Sequence, residues 1–127
     1  MIVAGLGFRR GTSTEQLERV VRLALDSFDV PADRLQAIAT ETQKAAEPSL
    51  PELARRLSTA IVACTLNDLA GMAGRISTPS QRVTAAKGVP SIAEAAALVA
   101  AGRNGRLLGK RVATREATCA IAIGDGT

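Results

Sequence analysis

The stretch "MIVAGLGFRRGTSTEQLERV", residues 1–20, decides the fold. Ile2 to Leu6 is a short apolar run of buried-strand type, and it ends in Gly5-Leu6-Gly7, which permits a tight turn. A helix follows. Thr12 and Glu15 have the spacing of a capping box, in which each side chain satisfies a free backbone N–H at the helix start. Leu17, Val20, Val21, Ala24, Leu25 and Phe28 then fall on one helical stripe, and Pro31 stops the helix. On the outer face Glu15–Arg19, Glu18–Arg22 and Arg22–Asp26 are spaced as i,i+4 pairs. A buried strand running straight into an amphipathic helix is the opening of a β-α-β unit.

The same alternation continues downstream. Leu35 to Ala39 reads as a second strand, followed by the polar loop "TETQKAAEPS". Ser49 and Glu52 have capping-box spacing for a helix near Pro51 to Leu57. Ile61 to Cys64 is continuously apolar, as expected for a strand covered on both faces. A short helical turn is expected around Asn67 to Ala70. Met72 to Pro90 is rich in Ser, Thr, Gly, Pro and basic residues and has little periodicity; connections this long are often functional or mobile. Ser91 and Glu94 form a third capping box, and the alanine-rich helix "SIAEAAALVAAG" ends at Gly102. Two strands close the chain, near Leu107 to Leu108 and Thr118 to Ile123, with Lys110 to Glu116 as a turn or a further strand. The prediction is one α/β domain over residues 1–127, three-layered α/β/α, with a mostly parallel (mixed) sheet. Ligands in such sheets bind beyond the carboxyl ends of the strands. Gly5 to Gly11 and the loops after Ala39 and Cys64 should lie there.

Composition narrows the chemistry. Apolar residues make up 46% of the 127, with no Trp, no Tyr and two Phe, so the core is aliphatic. No histidine occurs, which removes the commonest general base and the commonest nitrogen ligand for a metal. Two isolated cysteines, Cys64 and Cys119, lie in apolar runs; they read as buried free thiols of a reducing compartment, not as a zinc site. No charged leader or long apolar segment is present, so a cytoplasmic protein with no membrane span is expected. The net charge of +4 admits an anionic partner. The basic run Arg103, Arg106, Lys110, Arg111 and Arg115 reads as a solvated face; nucleic acid is not expected, because stacking aromatics and nucleic-acid-binding signatures are missing.

Gly5-x-Gly7-x-x-x-Gly11 is a dinucleotide fingerprint with one extra residue. Glu41 lies 34 residues after Gly7, where a ribose-binding acid stands at about 20, so nicotinamide binding is disfavoured. Two readings remain. The glycines make a turn and the arginines are solvated, or Arg9 and Arg10 grip an anion at a helix N-terminus. Phe8 is either a core plug or a flat apolar surface beside that anion. Lys44 and Glu47, at i,i+3, either order their loop or act on a ligand, Lys44 meeting an anion and Glu47 orienting it or handling a proton. They are the acid–base candidates.

Four segments, "GLGFRRGTSTEQL", "TETQKAAEPSLPELARRL", "GVPSIAEAAALVAAG" and "LLGKRVATREATCAIAIG", occur in an order that resembles the CobE/CbiG C-terminal domain family of cobalamin (vitamin B12) biosynthesis. The resemblance covers nearly the whole chain, and its start and end are similar to the standalone members of the aerobic pathway. It implies a cytoplasmic protein of porphyrin metabolism that binds or delivers a precorrin or hydrogenobyrinic acid-like tetrapyrrole. It also implies other corrin-pathway enzymes as partners, and no resident cofactor or metal. Positions matching the family pattern are Gly5, Gly7, Arg9, Gly11, Thr12, Lys44, Glu47, Ser91, Glu94, Lys110 and Thr118. Lys87 departs from it, standing where the family often has Thr. The ligand-binding set expected from motif and resemblance together is Gly7, Phe8, Arg9, Arg10, Gly11, Thr12, Lys44, Glu47, Lys87, Ser91 and Lys110. The alternatives are a lactone hydrolase similar to CbiG, which opens a ring on a cobalt-precorrin, and a nucleotide-binding regulatory domain.

Overall fold

The computed structural model describes residues 1–72 and 91–126; the expected long connection from Met72, with Lys87, falls almost wholly outside them. The elements are β1 (Ile2–Phe8), α1 (Thr14–Ser27), β2 (Leu35–Glu41), α2 (Thr42–Ala45), α3 (Ser49–Leu57), β3 (Ala60–Cys64), α4 (Leu66–Ala70), α5 (Ile92–Ala101), β4 (Arg106–Leu107), β5 (Val112–Ala113) and β6 (Ala117–Ile123). The sheet runs β3-β2-β1-β6-β4, with β5 also pairing β6. β1, β2 and β3 are mutually parallel, the product of the early strand–helix alternation. β6 returns antiparallel to β1 along its whole length, and β4 and β5 pair antiparallel to β6. The α/β/α class holds, with the parallel part confined to the first three strands.

Strand alternation divides the core into two faces. On one, Ala4, Leu6, Ile38, Cys119 and Ile121 meet Leu17, Val20, Val21 and Leu25 of α1 and Leu50, Leu53 and Leu57 of α3. On the other, Val3, Ala37, Ala39, Ala120 and Ala122 meet the alanines of α5 and Leu69 of α4. The second face is built from small residues, so α5 lies close to the sheet.

Several local expectations are corrected. The cap of α1 is Ser13, one residue later than Thr12: its Oγ accepts from Gln16 N at 3.1 Å, and Gln16 Oε1 accepts from Ser13 N at 2.9 Å. Glu15, freed from capping, pairs with Arg56 of α3 at 2.9 Å. α1 also ends before Pro31, at Ser27, because Asp29 turns to φ 54° and Val30 N donates to Leu25 O at 2.9 Å. Phe28 caps the helix, and its half-buried side chain still packs against the core that the stripe forms. Ser49 is no cap: α3 starts there, and the Ser49 hydroxyl is buried without a hydrogen-bond partner. Among the described residues β3 is an edge strand, and only Cys64 in it is fully buried, so its apolar run marks a half-covered position. At α5 Ser91 is the cap, its Oγ accepting from Glu94 N at 3.3 Å as one half of the expected box, and Gly102 ends the helix at φ 71°.

Candidate functional site: a cationic cleft at the carboxyl end of the parallel strands

β1 and β2 both end at one cleft of about 450 Å³. It is lined by Gly7, Phe8, Arg9 and Arg10 from the β1–α1 turn and by Thr40, Glu41 and Lys44 from the end of β2 and from α2. Ser91 and Ile92 at the start of α5, together with Arg111 and Thr118, complete it. This is where the strand ends of an open α/β sheet leave a crevice. The loop after Cys64, expected there too, is not among the lining residues.

Each wall has a local cause. Gly7 stands opposite Thr118, whose hydroxyl donates to Gly7 O at 3.3 Å; a Cβ on Gly7 would sit 2.8 Å from that Oγ1. Thr40 Oγ1 donates to Leu6 O at 2.8 Å, which ties the end of β2 to β1. Beyond Phe8 the chain turns sharply. Thr12 donates twice to Arg9 O, from its N at 3.1 Å and from its Oγ1 at 2.7 Å, and Gly11 takes φ 88°. That knot leaves Arg9 and Arg10 exposed at the rim. Among the described residues neither they nor Lys44 has a carboxylate within ion-pair distance. The fourth cation differs. Arg111 lies 3.8 Å from the carboxylate of Glu94, which is completely buried in the first turn of α5. A carboxylate there also gains from the positive end of the helix dipole.

The expected site residues are thus sorted by the fold. Gly7, Phe8, Arg9, Arg10, Lys44 and Ser91 converge on the cleft. Gly11, Thr12 and Glu47 lie on a separate shallow groove at the start of α1. There Glu47 Oε1 accepts from Gly11 N at 2.8 Å, so the anion at this helix start is the protein's own carboxylate. This also answers the expected Lys44–Glu47 pair, which does not form: Glu47 N donates to Lys44 O at 3.0 Å, while its carboxylate points to Gly11. Lys110 is exposed and does not line the cleft; its neighbour Arg111 does. Thr40, Glu41, Ile92, Arg111 and Thr118 were not in the expected set. Thr118 carried a signal as a family-pattern position, and Arg111 was hidden in a basic run read as solvated.

Both thiols are free and buried. Burial, with Asp68 nearby, pushes Cys64 up to about 11, and burial raises Cys119 as well, so neither is a thiolate at neutral pH. Among the described residues no group of three or more Cys, Asp or Glu side chains is placed to hold a metal ion. No described helix is long and apolar enough to cross a membrane.

Comparison with known proteins gives a consistent answer. Residues 2–122 match the family described as cobalamin synthesis G C-terminus. The protein CobE of a Sinorhizobium species is 31% identical over 121 residues, covering 95% of this chain and 79% of that protein. The crystal structure of CobE, described as a protein from the cobalamin (vitamin B12) biosynthetic pathway, superposes with a TM-score of 0.91 at 30% identity, over 100% of this chain and 92% of the other. The cobalamin biosynthesis protein chiG from Agrobacterium tumefaciens is 34% identical with a TM-score of 0.74, over 98% and 99% of the two chains. A putative cobalamin biosynthesis protein G homolog from Sulfolobus solfataricus shares the fold, with a TM-score of 0.76 at 23% identity over 98% of this chain and 37% of that one. With the match running from Ile2 to Ala122, the chain belongs to the cobalamin synthesis G C-terminal family and is a CobE/CbiG-like cobalamin biosynthesis protein.

Proposed function

We propose that the cleft binds a carboxylate-rich tetrapyrrole intermediate of corrin assembly and holds it for transfer to another enzyme of the pathway. The observation that carries this reading is the convergence of Arg9, Arg10, Lys44 and Arg111 with Phe8 and Ile92 around one opening. Precorrins are broad, mostly flat rings fringed with carboxylates. The cations suit the fringe, and the phenyl ring and the isoleucine suit the ring face. The cleft takes one side of such a ring, within the range of small-molecule sites, about 300–1,000 Å³. Each charge-assisted hydrogen bond contributes about 1.5–3 kcal/mol net. Two or three of them with apolar contact support micromolar binding, about −8 kcal/mol. Without histidine the chain offers no imidazole to ligate cobalt axially, so the metal-free intermediates are the expected ligands.

The test is an absorbance titration of hydrogenobyrinic acid with the protein. Arg9→Ala and Lys44→Ala should each weaken binding about tenfold or more, the loss of one charge-assisted bond. Unchanged affinity in both variants would overturn the site.

One observation favours a second reading, hydrolytic ring opening. Glu41 is a buried carboxylate on the cleft wall, on the segment that carries Lys44. Release of a two-carbon aldehyde from a lactone-bearing precorrin, abolished by Glu41→Gln, would establish it.

A further inference from the structure

Arg111 departs from the rest of its basic run. Arg103, Arg106, Lys110 and Arg115 are exposed, whereas the Arg111 side chain keeps 27% of its exposure. Register explains why. Val112 pairs Cys119, and Cys119 pairs Leu6, so Val112 shares the α1 face with Leu6. Alternation puts the preceding Arg111 on the α5 face, and there the wholly buried Glu94 lies 3.8 Å away. The order β2-β1-β6-β5 then separates Arg111 from Lys44, which follows β2 on α2. Three strand steps of about 4.8 Å place the two starting points roughly 14 Å apart across the cleft.

We propose that Arg111 binds a ligand carboxylate, that Glu94 is its positioning residue, and that the ligand carries anionic groups on two opposite edges. Lys44 and Arg9 meet one edge and Arg111 meets the other. This rests on the cleft reading above and adds the ligand's charge pattern. The buried Glu94 carboxylate, 3.8 Å away, sets a counter-charge beside the Arg111 guanidinium, whereas Arg9, Arg10 and Lys44 have none among the described residues, and a guanidinium biased towards one position selects geometry as well as charge. A ligand with carboxylates on one edge only satisfies one pole.

The test compares two porphyrins by fluorescence titration. Uroporphyrin III carries carboxylate side chains on all four pyrrole rings; deuteroporphyrin IX carries both propionates on one edge. The wild-type chain should bind uroporphyrin about tenfold more tightly or better. Arg111→Met alone would take this counter-charge from the buried Glu94 carboxylate and endanger folding, so Arg111→Met is combined with Glu94→Gln. In that double variant uroporphyrin affinity should fall about tenfold, with deuteroporphyrin affinity almost unchanged. Glu94→Gln alone keeps the guanidinium but releases it, so its smaller loss should be confined to uroporphyrin. If a folded double variant binds uroporphyrin like the wild type while Arg9→Ala or Lys44→Ala does not, the role of Arg111 is overturned and the cleft reading stands. If the wild type binds neither porphyrin, or no variant changes affinity, the cleft reading falls and takes this inference with it.

Discussion

A Cβ placed on Gly5 would stand 2.0 Å from Ala93 O and 2.6 Å from Ala97 N, both backbone atoms of α5. No rotamer relieves that overlap, so Gly5→Ala must push α5 off the sheet. The expected cost is about 3 kcal/mol or more, the upper end of overpacking penalties. Gly11 stands six positions on in the same stretch for another reason: its φ is 88° and nothing would meet its Cβ. Gly11→Ala should cost only about 1–2 kcal/mol, from backbone strain. Urea denaturation of both variants checks the ranking, and the reverse order would mean that α5 does not press on β1. The helix cap belongs to this scale too. Thr12-x-x-Glu15 and Ser13-x-x-Gln16 overlap in sequence, and local spacing alone cannot choose between them. In the fold Thr12 Oγ1 donates to Arg9 O and Glu15 pairs with the distant Arg56, which leaves Ser13 and Gln16 to make the cap.

Between elements, Arg56 is the tie that joins α3 to α1. Its guanidinium reaches Glu15 at 2.9 Å, Glu18 at 3.1 Å and Glu52 at 3.1 Å, and Glu18 also holds Arg22 at 2.8 Å. Hydrogen bonds from Arg55 and then Arg56 hold the Glu52 carboxyl down at about 2, and those from Arg22 and then Arg56 lower Glu18. These carboxylates titrate lower in the folded chain than in the unfolded one. Their stabilisation is therefore complete above the unfolded value of about 4.5 and lost as pH falls towards 2. Urea melts at pH 6, 4 and 3 should show stability falling with pH, and Arg56→Ala should flatten that fall. An equally steep fall in the variant would show that the network does not set the acid limit. Elements were legible where an apolar run or a helical stripe was long, as in β1, α1 and β2. β4 was legible from the apolar pair Leu107-Leu108, one residue later than it lies, whereas the two-residue β5 has no period to detect, so Lys110 to Glu116 stayed open between turn and strand until β6 was alongside.

Across the whole molecule, the ion pairs of α1 and α3 satisfy acidic and basic groups together, whereas Arg9, Arg10 and Lys44 keep their charge for the cleft. Arg9, Arg10, Lys44 and Arg111 thus gather four cations where a polyanion would arrive. Raising salt from 0.1 M to 1 M shortens the screening length from about 10 Å to about 3 Å. The association rate of uroporphyrin should fall about tenfold or more over that range, with dissociation changing less. Stopped-flow fluorescence measures both, and a salt-independent association rate would show that the field does not steer the ligand. The site was legible in part for a similar reason of scale. Phe8, Arg9 and Arg10 are conspicuous because local structure does not demand them, and Lys44 because it follows a strand. Glu41 and Arg111 join them only through sheet order, which places the residue before β5 across from the end of β2.

The antiparallel pairing of Ile2–Phe8 with Ala117–Ile123 has a consequence for the order of assembly. Of the described strands β1 leaves the ribosome before the others, and its neighbour β6 leaves after them. At about 5–20 residues per second, the chain between them takes roughly 5–20 s to synthesise. β2 and β3 can join β1 during that time, but the opposite edge of β1 stays unpaired, an open template for other chains. Closing it late pairs Phe8 with Ala117 and Ile2 with Ile123, contacts of long sequence separation, the kind that slows folding. The strand that begins this fold therefore waits longest for its second partner.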